Sequence, residues 1–357
     1  MKTIRSRFAT LIAAAALITG AAAAPASAVS VAQAGHFTVI AAVGPAGSLL
    51  FYSQLTGGVT WHPEYAAGLN STFSAPSVAQ VGNSAVIAAE GPDHTLWFYS
   101  QTLGTSTWHA EQVAGSNSDF AAPSVAQVGN SVVIAVEGNG NALVSYWQAI
   151  GGATWHTEAV SDTFGSAFAA PSVAQVGNSA VIAAEGPDNT LDFYWQTIGD
   201  ATWHTETVAG PSSTYSAPSV AQAGHSSVIA AEGPGGTVRF YWKTIDTATW
   251  HPELVVGPGT TYLAPSVAQA GNSSVIAATG PNGALLFYWQ AIGSRPWHPE
   301  LVAPNGTAFS PPSVAQAGNF SVITIQGPDN SLRFYSQAIG ARPWHPEIVA
   351  GSYTTFA

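Results

Sequence analysis

Residues 171–217 contain four short segments whose hydrophobic patterns are those of β-strands. Residues 181–184 (Val-Ile-Ala-Ala) are apolar on both faces, which is typical of a strand covered on each side. Residues 191–196 and 203–208 alternate with a period of two, so each of these segments has two distinct faces. Residues 172–175 form a shorter segment that ends at a Gly-Asn pair. Because turn sequences separate the segments, the pattern predicts an antiparallel sheet of four strands.

The same unit recurs along the chain. Ser-Val-Ala-Gln begins at positions 47 residues apart, with a single spacing of 48, at Ser30, Ser77, Ser124, Ser172, Ser219, Ser266 and Ser313. Trp-His keeps the same spacings, at Trp61, Trp108, Trp155, Trp203, Trp250, Trp297 and Trp344. Seven four-stranded units without helical periodicity predict an all-β fold, a seven-bladed β-propeller of four-stranded antiparallel blades. An open solenoid would need polar caps on its end repeats, and the sequence has none.

An aromatic residue that precedes the later units indicates that the propeller closes into a ring. The series comprises Phe73, Phe120, Phe168, Tyr215, Tyr262 and Phe309. Its seventh member, Phe356, stands at the end of the chain, where only contact with the first unit would give it an equivalent position. The sequence therefore predicts contact between the last residues and the first blade.

The first 28 residues differ from the repeats. Three basic residues precede an alanine-rich apolar run, and Ala26-Ser27-Ala28 matches a signal-peptidase site. We expect residues 1–28 to be a cleaved signal peptide and the protein to be a secreted, extracellular bacterial protein. One propeller is predicted to fill the remaining residues, with blades at 29–75, 76–122, 123–170, 171–217, 218–264, 265–311 and 312–357.

The composition narrows the class of partner. Charged residues make up 8% of the chain and the net charge is −11, so nucleic acid is not an expected partner. No apolar stretch after residue 28 is long enough for membrane insertion. The chain has no cysteine, so its core must hold without disulfides. A surface of uncharged polar residues suits neutral hydrogen-bonding ligands such as sugars; the oligomeric state is not evident.

The repeats argue against catalysis. Glutamates recur in every unit, whereas a glycoside hydrolase needs one asymmetric pair of carboxylates. Each outer strand offers His-x-Glu, which supplies two metal ligands where three or four are needed. We therefore expect no enzyme activity, no metal and no cofactor.

One aromatic position behaves unlike the others. Phe193, its equivalents and the Tyr194 series are predicted to pack blade against blade. The residue after that tyrosine is tryptophan in four blades and serine in the other three, at Ser53, Ser100 and Ser336. Since such an exchange in a core would leave a large cavity, this position is predicted to be exposed or in a groove.

A tryptophan beside polar Gln, His and Glu suits a pyranose, because the ring covers C–H groups while polar groups bind hydroxyls. Repetition would compensate for weak single sites through avidity. The candidate carbohydrate-binding residues are the tryptophans Trp147, Trp195, Trp242, Trp289, Trp155, Trp203, Trp250 and Trp297 with Gln148, Gln196, Gln290, His156, His204, His251, His298, Glu158, Glu206, Glu253 and Glu300.

The order of motifs in residues 171–203 resembles the bacterial seven-bladed lectins typified by the Photorhabdus fucose-binding lectin. It runs Pro-Ser-Val-Ala, an apolar strand, Gly-Pro-Asp-Asn-Thr-Leu, an aromatic pair, Trp-Gln-Thr and a further Trp. The resemblance covers residues 29–357 and implies sugar sites between adjacent blades, with Trp195-Gln196 and Trp203 at matching positions. This chain departs from the pattern by serine in three blades and by Lys243 in place of one Gln.

The sequence thus predicts a multivalent lectin whose partners are glycans, fucosylated or O-methylated by resemblance. A non-catalytic structural or adhesive propeller that binds another protein is the alternative, and a glycoside hydrolase is a more remote one.

Overall fold

A computed structural model describes residues 29–161 and 165–356. The described residues form seven sheets, each of four consecutive antiparallel strands in chain order. The fold is a seven-bladed β-propeller, as predicted. No helix in these two ranges is long and apolar enough to cross a bilayer. The predicted signal peptide, residues 1–28, lies outside the described residues.

The strands of the first four blades have similar lengths. They are β1 Val29–Ala34, β2 Phe37–Val43, β3 Leu49–Leu55 and β4 His62–Ala67; β5 Ser77–Val81, β6 Ser84–Glu90, β7 Leu96–Thr102 and β8 His109–Ala114; β9 Ser124–Val128, β10 Ser131–Gly138, β11 Ala142–Ala149 and β12 His156–Ala159; β13 Ser172–Val176, β14 Ser179–Glu185, β15 Leu191–Thr197 and β16 His204–Ala209.

The last three blades repeat this arrangement. Their strands are β17 Ser219–Ala223, β18 Ser226–Gly233, β19 Thr237–Thr244 and β20 His251–Val256; β21 Ser266–Ala270, β22 Ser273–Thr279, β23 Leu285–Ala291 and β24 His298–Ala303; β25 Ser313–Ala317, β26 Phe320–Gln326, β27 Leu332–Ala338 and β28 His345–Ala350.

A tight turn joins the second and third strands of each blade. In the fourth blade Asp188 and Asn189 both have positive φ, 57° and 59°, which is the pattern of a type I′ hairpin. Asp and Asn tolerate this left-handed conformation better than most residues. Single 3₁₀ turns mark five of these connections, at Pro45–Gly47, Pro92–His94, Pro187–Asn189, Pro281–Gly283 and Pro328–Asn330.

The hydrophobic core lies between the blades. Ile182 and Phe193 are 0% and 1% exposed, and Tyr194 is 3% exposed. Tyr194 packs in one cluster with Val133 of the preceding blade. The prediction that the phenylalanine and tyrosine series form the core is confirmed. A single unit would leave this surface open to solvent, so each blade depends on its neighbours.

The repeated Ser-Val-Ala-Gln segment joins the innermost strands of neighbouring blades. The Ser172 hydroxyl accepts a hydrogen bond from the backbone N–H of Val220, at 3.0 Å. The Gln222 side chain accepts one from the N–H of Gly177 at 2.8 Å and donates to the carbonyl of Gly224. The segment therefore repeats because each junction between innermost strands uses the same serine and glutamine side chains.

The same bonds close the ring between the last and first blades. Ser313 accepts from the N–H of Val31 at 3.1 Å, and Gln33 accepts from the N–H of Gly318 at 2.9 Å. The N–H of Phe356 donates to the carbonyl of Val43 at 3.0 Å, as that of Phe73 does to Glu90. Ring closure is confirmed. It is achieved by side chains and the tail, because each sheet contains consecutive strands alone.

Candidate functional site

Grooves run between the outer parts of adjacent blades, and a glutamate from an outer strand lies at the centre of each. Glu158 is the example between the third and fourth blades. Its Oε1 accepts from the Trp147 indole N–H of its own blade at 2.9 Å. Its Oε2 accepts from Gln196 at 3.1 Å and from the Trp203 indole at 3.0 Å, both of the next blade. We name each groove after its central glutamate.

A tryptophan and a histidine of one blade stack within this groove. Trp147 and His156 are cross-strand partners on β11 and β12. Their rings are 4.3 Å apart between centroids with 21° between the planes. His156 is exposed and Trp147 is half-buried. The prediction that this tryptophan position lies in a groove is confirmed.

Three further grooves contain the same stack. The ring pairs are separated by 4.2, 4.3 and 4.2 Å, in Trp195–His204, Trp242–His251 and Trp289–His298. Each indole donates to the glutamate of its own blade, at 3.2, 3.1 and 3.1 Å, in Trp195–Glu206, Trp242–Glu253 and Trp289–Glu300. Together with the Glu158 groove, these are the tryptophan grooves.

In the other three grooves serine replaces the tryptophan, and we call them the serine grooves. They are the Glu347, Glu64 and Glu111 grooves, which are adjacent around the closed ring. The glutamate is still bound by the next blade: Gln54 and Trp61 donate to Glu347, both at 2.9 Å. Glu64 receives Gln101 and Trp108 at 2.6 and 3.2 Å. The predicted residues Gln148 and Trp155 donate to Glu111 at 3.4 and 3.1 Å.

The structure divides each blade's predicted site residues between two grooves. Trp195, His204 and Glu206 face the fifth blade, whereas Gln196 and Trp203 bind Glu158 of the third blade. Sequence neighbours separate because successive residues of a strand point to opposite faces. Each candidate site is therefore built from two blades.

Some groove residues were not among those predicted. Gln337 and Trp344 complete the Glu300 groove, donating to Glu300 at 3.1 and 3.2 Å. The repeat itself contains the signal for them, since they are the seventh-blade equivalents of Gln196 and Trp203. His225 lines the Glu253 groove at a turn between β17 and β18.

In three of the tryptophan grooves, a lysine or arginine side chain contacts the central glutamate. Lys243 occupies the usual glutamine position and binds Glu206 at 2.6 Å, with its ammonium group 4.9 Å from the centre of the Phe193 ring. Arg295 lies 3.3 Å from Glu253, and Arg342 lies 3.1 Å from Glu300. Both arginines are largely exposed, so their ion pairs are weak. An Arg-Pro pair before the outer-strand tryptophan, in the last two blades, is the sequence signal for them.

Three tryptophan grooves contain open cavities large enough for a small ligand. The volumes are about 320, 370 and 330 Å³ in the Glu158, Glu206 and Glu253 grooves. Their walls include Trp147, Trp195 and Trp242, respectively. Small-ligand pockets commonly fall in the range of about 300–1,000 Å³, so each cavity can receive one small molecule.

The described residues contain no group of three or more His, Asp or Glu side chains placed to hold a metal ion. The groove glutamates bind indole and amide N–H groups and, in three grooves, a lysine or arginine, rather than each other. Burial raises the pKa of Tyr194 to about 12, so this phenol keeps its proton at neutral pH. The arrangement suits binding: aromatic faces, fixed hydrogen-bond acceptors and open cavities.

Comparison with known proteins supports the fold. The sequence matches no protein-family model and no curated protein. Among solved structures, the BP39L lectin from Burkholderia pseudomallei superposes with a TM-score of 0.81 at 15% identity, over 93% of this chain and 99% of that one.

Two other lectins and one enzyme are also similar in fold. Aleuria aurantia lectin in complex with α-methyl-L-fucoside gives a TM-score of 0.53 at 13% identity, over 79% of this chain and 95% of that one. The SapL1 lectin in complex with α-methyl fucoside gives 0.54 at 11% identity, over 92% and 97%. A prolyl endopeptidase gives 0.59 at 10% identity, over 90% of this chain and 50% of its own. At these identities the likeness concerns the fold.

Proposed function

We propose that this chain is a multivalent lectin that binds glycans in its tryptophan grooves. The observation that carries the proposal is a half-buried indole, held by its own histidine and glutamate, beside a cavity about 320 Å³ in volume. Because the stack and the hydrogen bond hold the ring in place, little conformational entropy is lost when a ligand binds. The indole face would cover the C–H face of a pyranose.

Sugars that carry an apolar group fit these grooves best. In the Glu206 groove, for example, both carboxylate oxygens are already bound by protein N–H groups, at 2.6 to 3.2 Å. Recognition there must rely largely on stacking, which favours deoxy and O-methylated sugars. Two of the similar lectins are described in complex with a methyl fucoside, and the sequence resembles a fucose-binding family. We therefore propose fucosylated or O-methylated glycans as partners.

The protein is further proposed to be non-catalytic and extracellular. Asp200 and Asp246 add a second carboxylate to the Glu158 and Glu206 grooves, but both glutamates are already bound by protein N–H groups. Hydrolysis needs one carboxyl group free to protonate the leaving group and a second free to attack or to activate water. The proposal of export rests on residues 1–28, whose sequence has the pattern expected of a cleaved signal peptide. Several weak sites on one ring would then act together on a glycan-bearing surface, where avidity adds about 10²- to 10⁴-fold.

A glycan array with residues 29–357 tests the proposal, followed by calorimetry with methyl 3,4-di-O-methyl-α-L-fucopyranoside. Replacing Trp147, Trp195, Trp242 and Trp289 by serine is expected to weaken binding of this sugar at least about tenfold, because the stacking face is lost. The melting temperature should fall moderately, because the four indoles also pack beside the core clusters of their blades, and circular dichroism checks that the variant is folded.

Trp97→Leu is the matched control for this experiment. Trp97 lies outside the grooves, on β7, where the first and sixth blades have Leu50 and Leu286. The Trp97→Leu variant should leave sugar binding unchanged. Equal affinity of the wild-type and four-serine proteins would refute the assignment of the tryptophan grooves, and a folded protein without any hit on the array would refute the lectin function.

A protein-binding propeller is the second candidate, because one side of the ring has an apolar outer wall. Tyr65, Leu254, Leu301 and Ile348 are 67%, 57%, 64% and 66% exposed, and they follow the groove glutamate on four adjacent outer strands. The other three blades have Gln112, Ala159 and Thr207 there. A glycan array without any hit would favour this surface as the binding site for a partner protein.

A further inference from the structure

The groove glutamates differ in how many hydrogen bonds they already accept. An ionised carboxylate offers about four acceptor positions, two on each oxygen. In the Glu64, Glu111 and Glu347 side chains, the described residues donate to Oε2 alone. Among the residues that the structure describes, no donor reaches Oε1 in any of the three. These are the serine grooves.

In the tryptophan grooves, Oε1 of the glutamate also accepts hydrogen bonds. Glu158 accepts from three N–H groups, one of which donates to Oε1. In the Glu300 groove an indole and an arginine both reach Oε1, while Gln337 and Trp344 bind Oε2. The capacity to accept further hydrogen bonds therefore falls from two positions in each serine groove to one in the Glu158 groove and none in the Glu300 groove.

The serine grooves lack the indole of the tryptophan grooves, and two of them, the Glu64 and Glu347 grooves, are lined by Phe37 and Phe320 at a position that is Ser179 in the Glu206 groove. Ser53, Ser100 and Ser336 pair with the outer-strand histidines in the register that Trp147 has with His156. The change from tryptophan to serine removes the ring and the indole donor of Oε1 in one step. Both losses coincide in three adjacent grooves, so the glutamates of one continuous arc of the ring lack an indole donor on Oε1.

We propose that the serine grooves are a second class of binding site, which takes a sugar through two adjacent free hydroxyl groups. Two neighbouring hydroxyls supply the two donors that a free Oε1 can accept. A carboxylate strengthens such bonds relative to a neutral acceptor. The tryptophan grooves recognise an apolar face, so the chain has four sites of one kind and three of another. The inference rests on the proposed lectin function and adds the ligand chemistry of the serine arc.

A matched pair of ligands separates the two classes. Methyl α-L-fucopyranoside has a free 3,4-diol, and its 3,4-di-O-methyl ether does not. Calorimetry on residues 29–357 is expected to give about seven sites for the diol, one for each groove of the ring, and about four for the ether. The triple variant with Ser53, Ser100 and Ser336 replaced by tryptophan turns the serine grooves into tryptophan grooves, which take both ligands. It should therefore leave the first number at about seven and raise the second from about four to about seven.

The new indoles of the triple variant meet the same histidine and glutamate partners as in the other four blades, with Phe37 and Phe320 beside two of them. Its melting temperature and far-ultraviolet circular dichroism check that it folds. If it does not, Ser100→Trp replaces it and should gain one site for the ether, because Ser84 of that blade matches the serine of the tryptophan blades. About four sites for both ligands in the wild-type protein would overturn the inference and leave the lectin function standing. Absence of binding by both ligands would overturn both.

Discussion

Deleting residues 351–357 is expected to lower the free energy of unfolding by about 3 to 6 kcal/mol, the sum of several lost hydrogen bonds and one unsatisfied buried group. The tail is bound to both blades that meet at the closure. The N–H of Phe356 donates to Val43 of the first blade at 3.0 Å. The carbonyl of Thr355 accepts from Gln326 of the last blade at 3.1 Å.

The effect should be large because the deletion acts on the one junction where the chain is not continuous. At every other junction the connecting segment holds neighbouring blades together whatever their contacts. Urea unfolding of residues 29–350 and 29–357 measures the difference. A third chain with residues 351–357 replaced by glycine and serine controls for length and should behave like the deletion. Equal stability of the three chains would show that the tail does not secure the ring.

Asp119→Thr is expected to stabilise the protein by about 2 to 3 kcal/mol at pH 8, the scale of an unsatisfied buried polar group, with a much smaller effect at pH 4. Asp119 is 0% exposed, and within residues 29–161 and 165–356 neither of its carboxyl oxygens has a partner of ordinary hydrogen-bond geometry. The corresponding residue is a buried threonine in four other blades, at Thr72, Thr214, Thr261 and Thr355.

The pH dependence follows from the direction of the pKa shift. Burial, and then the carboxylate of Glu90, raises the pKa of Asp119 well above 3.8, and the backbone of Ala121 only partly offsets this. Between the unfolded and the folded pKa of this group, the folded protein holds a proton on Asp119 that the unfolded chain has released. The contribution of Asp119 to stability is therefore greatest at low pH and declines as the pH rises through that window. Burial likewise raises the pKa of Glu232 from 4.5 to about 7, and its contribution declines within that window.

Unfolding of the wild-type protein, Asp119→Thr and Thr214→Asp at pH 4 and pH 8 tests this. Thr214→Asp is the reverse change in an equivalent position, and it should destabilise more at pH 8 than at pH 4. A stabilisation by Asp119→Thr that is equal at both pH values would mean that ionisation of Asp119 does not limit stability.

Repetition made much of the fold predictable from sequence. The period gave the number of blades, and the alternation within residues 191–196 identified the aromatic strand. The exchange of tryptophan for serine correctly indicated a groove position, since a core would not accept it. The position of Phe356 in the aromatic series correctly indicated closure. Each inference used a comparison between repeats, which a single unit could not have provided.

The partners of the groove residues were not predictable in the same way. Trp195 and Gln196 are adjacent in sequence, yet they belong to different grooves because they point to opposite faces of one strand. The role of Glu158 as a shared acceptor depends on donors from two blades, 11 to 45 residues away. Nothing in the sequence indicated that Asp119 is buried, except that four other blades have threonine at the equivalent position.

The sequence alone therefore determined the architecture, because seven copies of one strand pattern have few ways to bury their apolar faces. It also determined which positions vary among blades. The tertiary structure decided what those variations mean. Side chains from neighbouring blades converge on one carboxylate, and the number of donors that reach it sets which grooves remain open to a ligand. That number depends on distances across the blade interface, which no local pattern in the chain records.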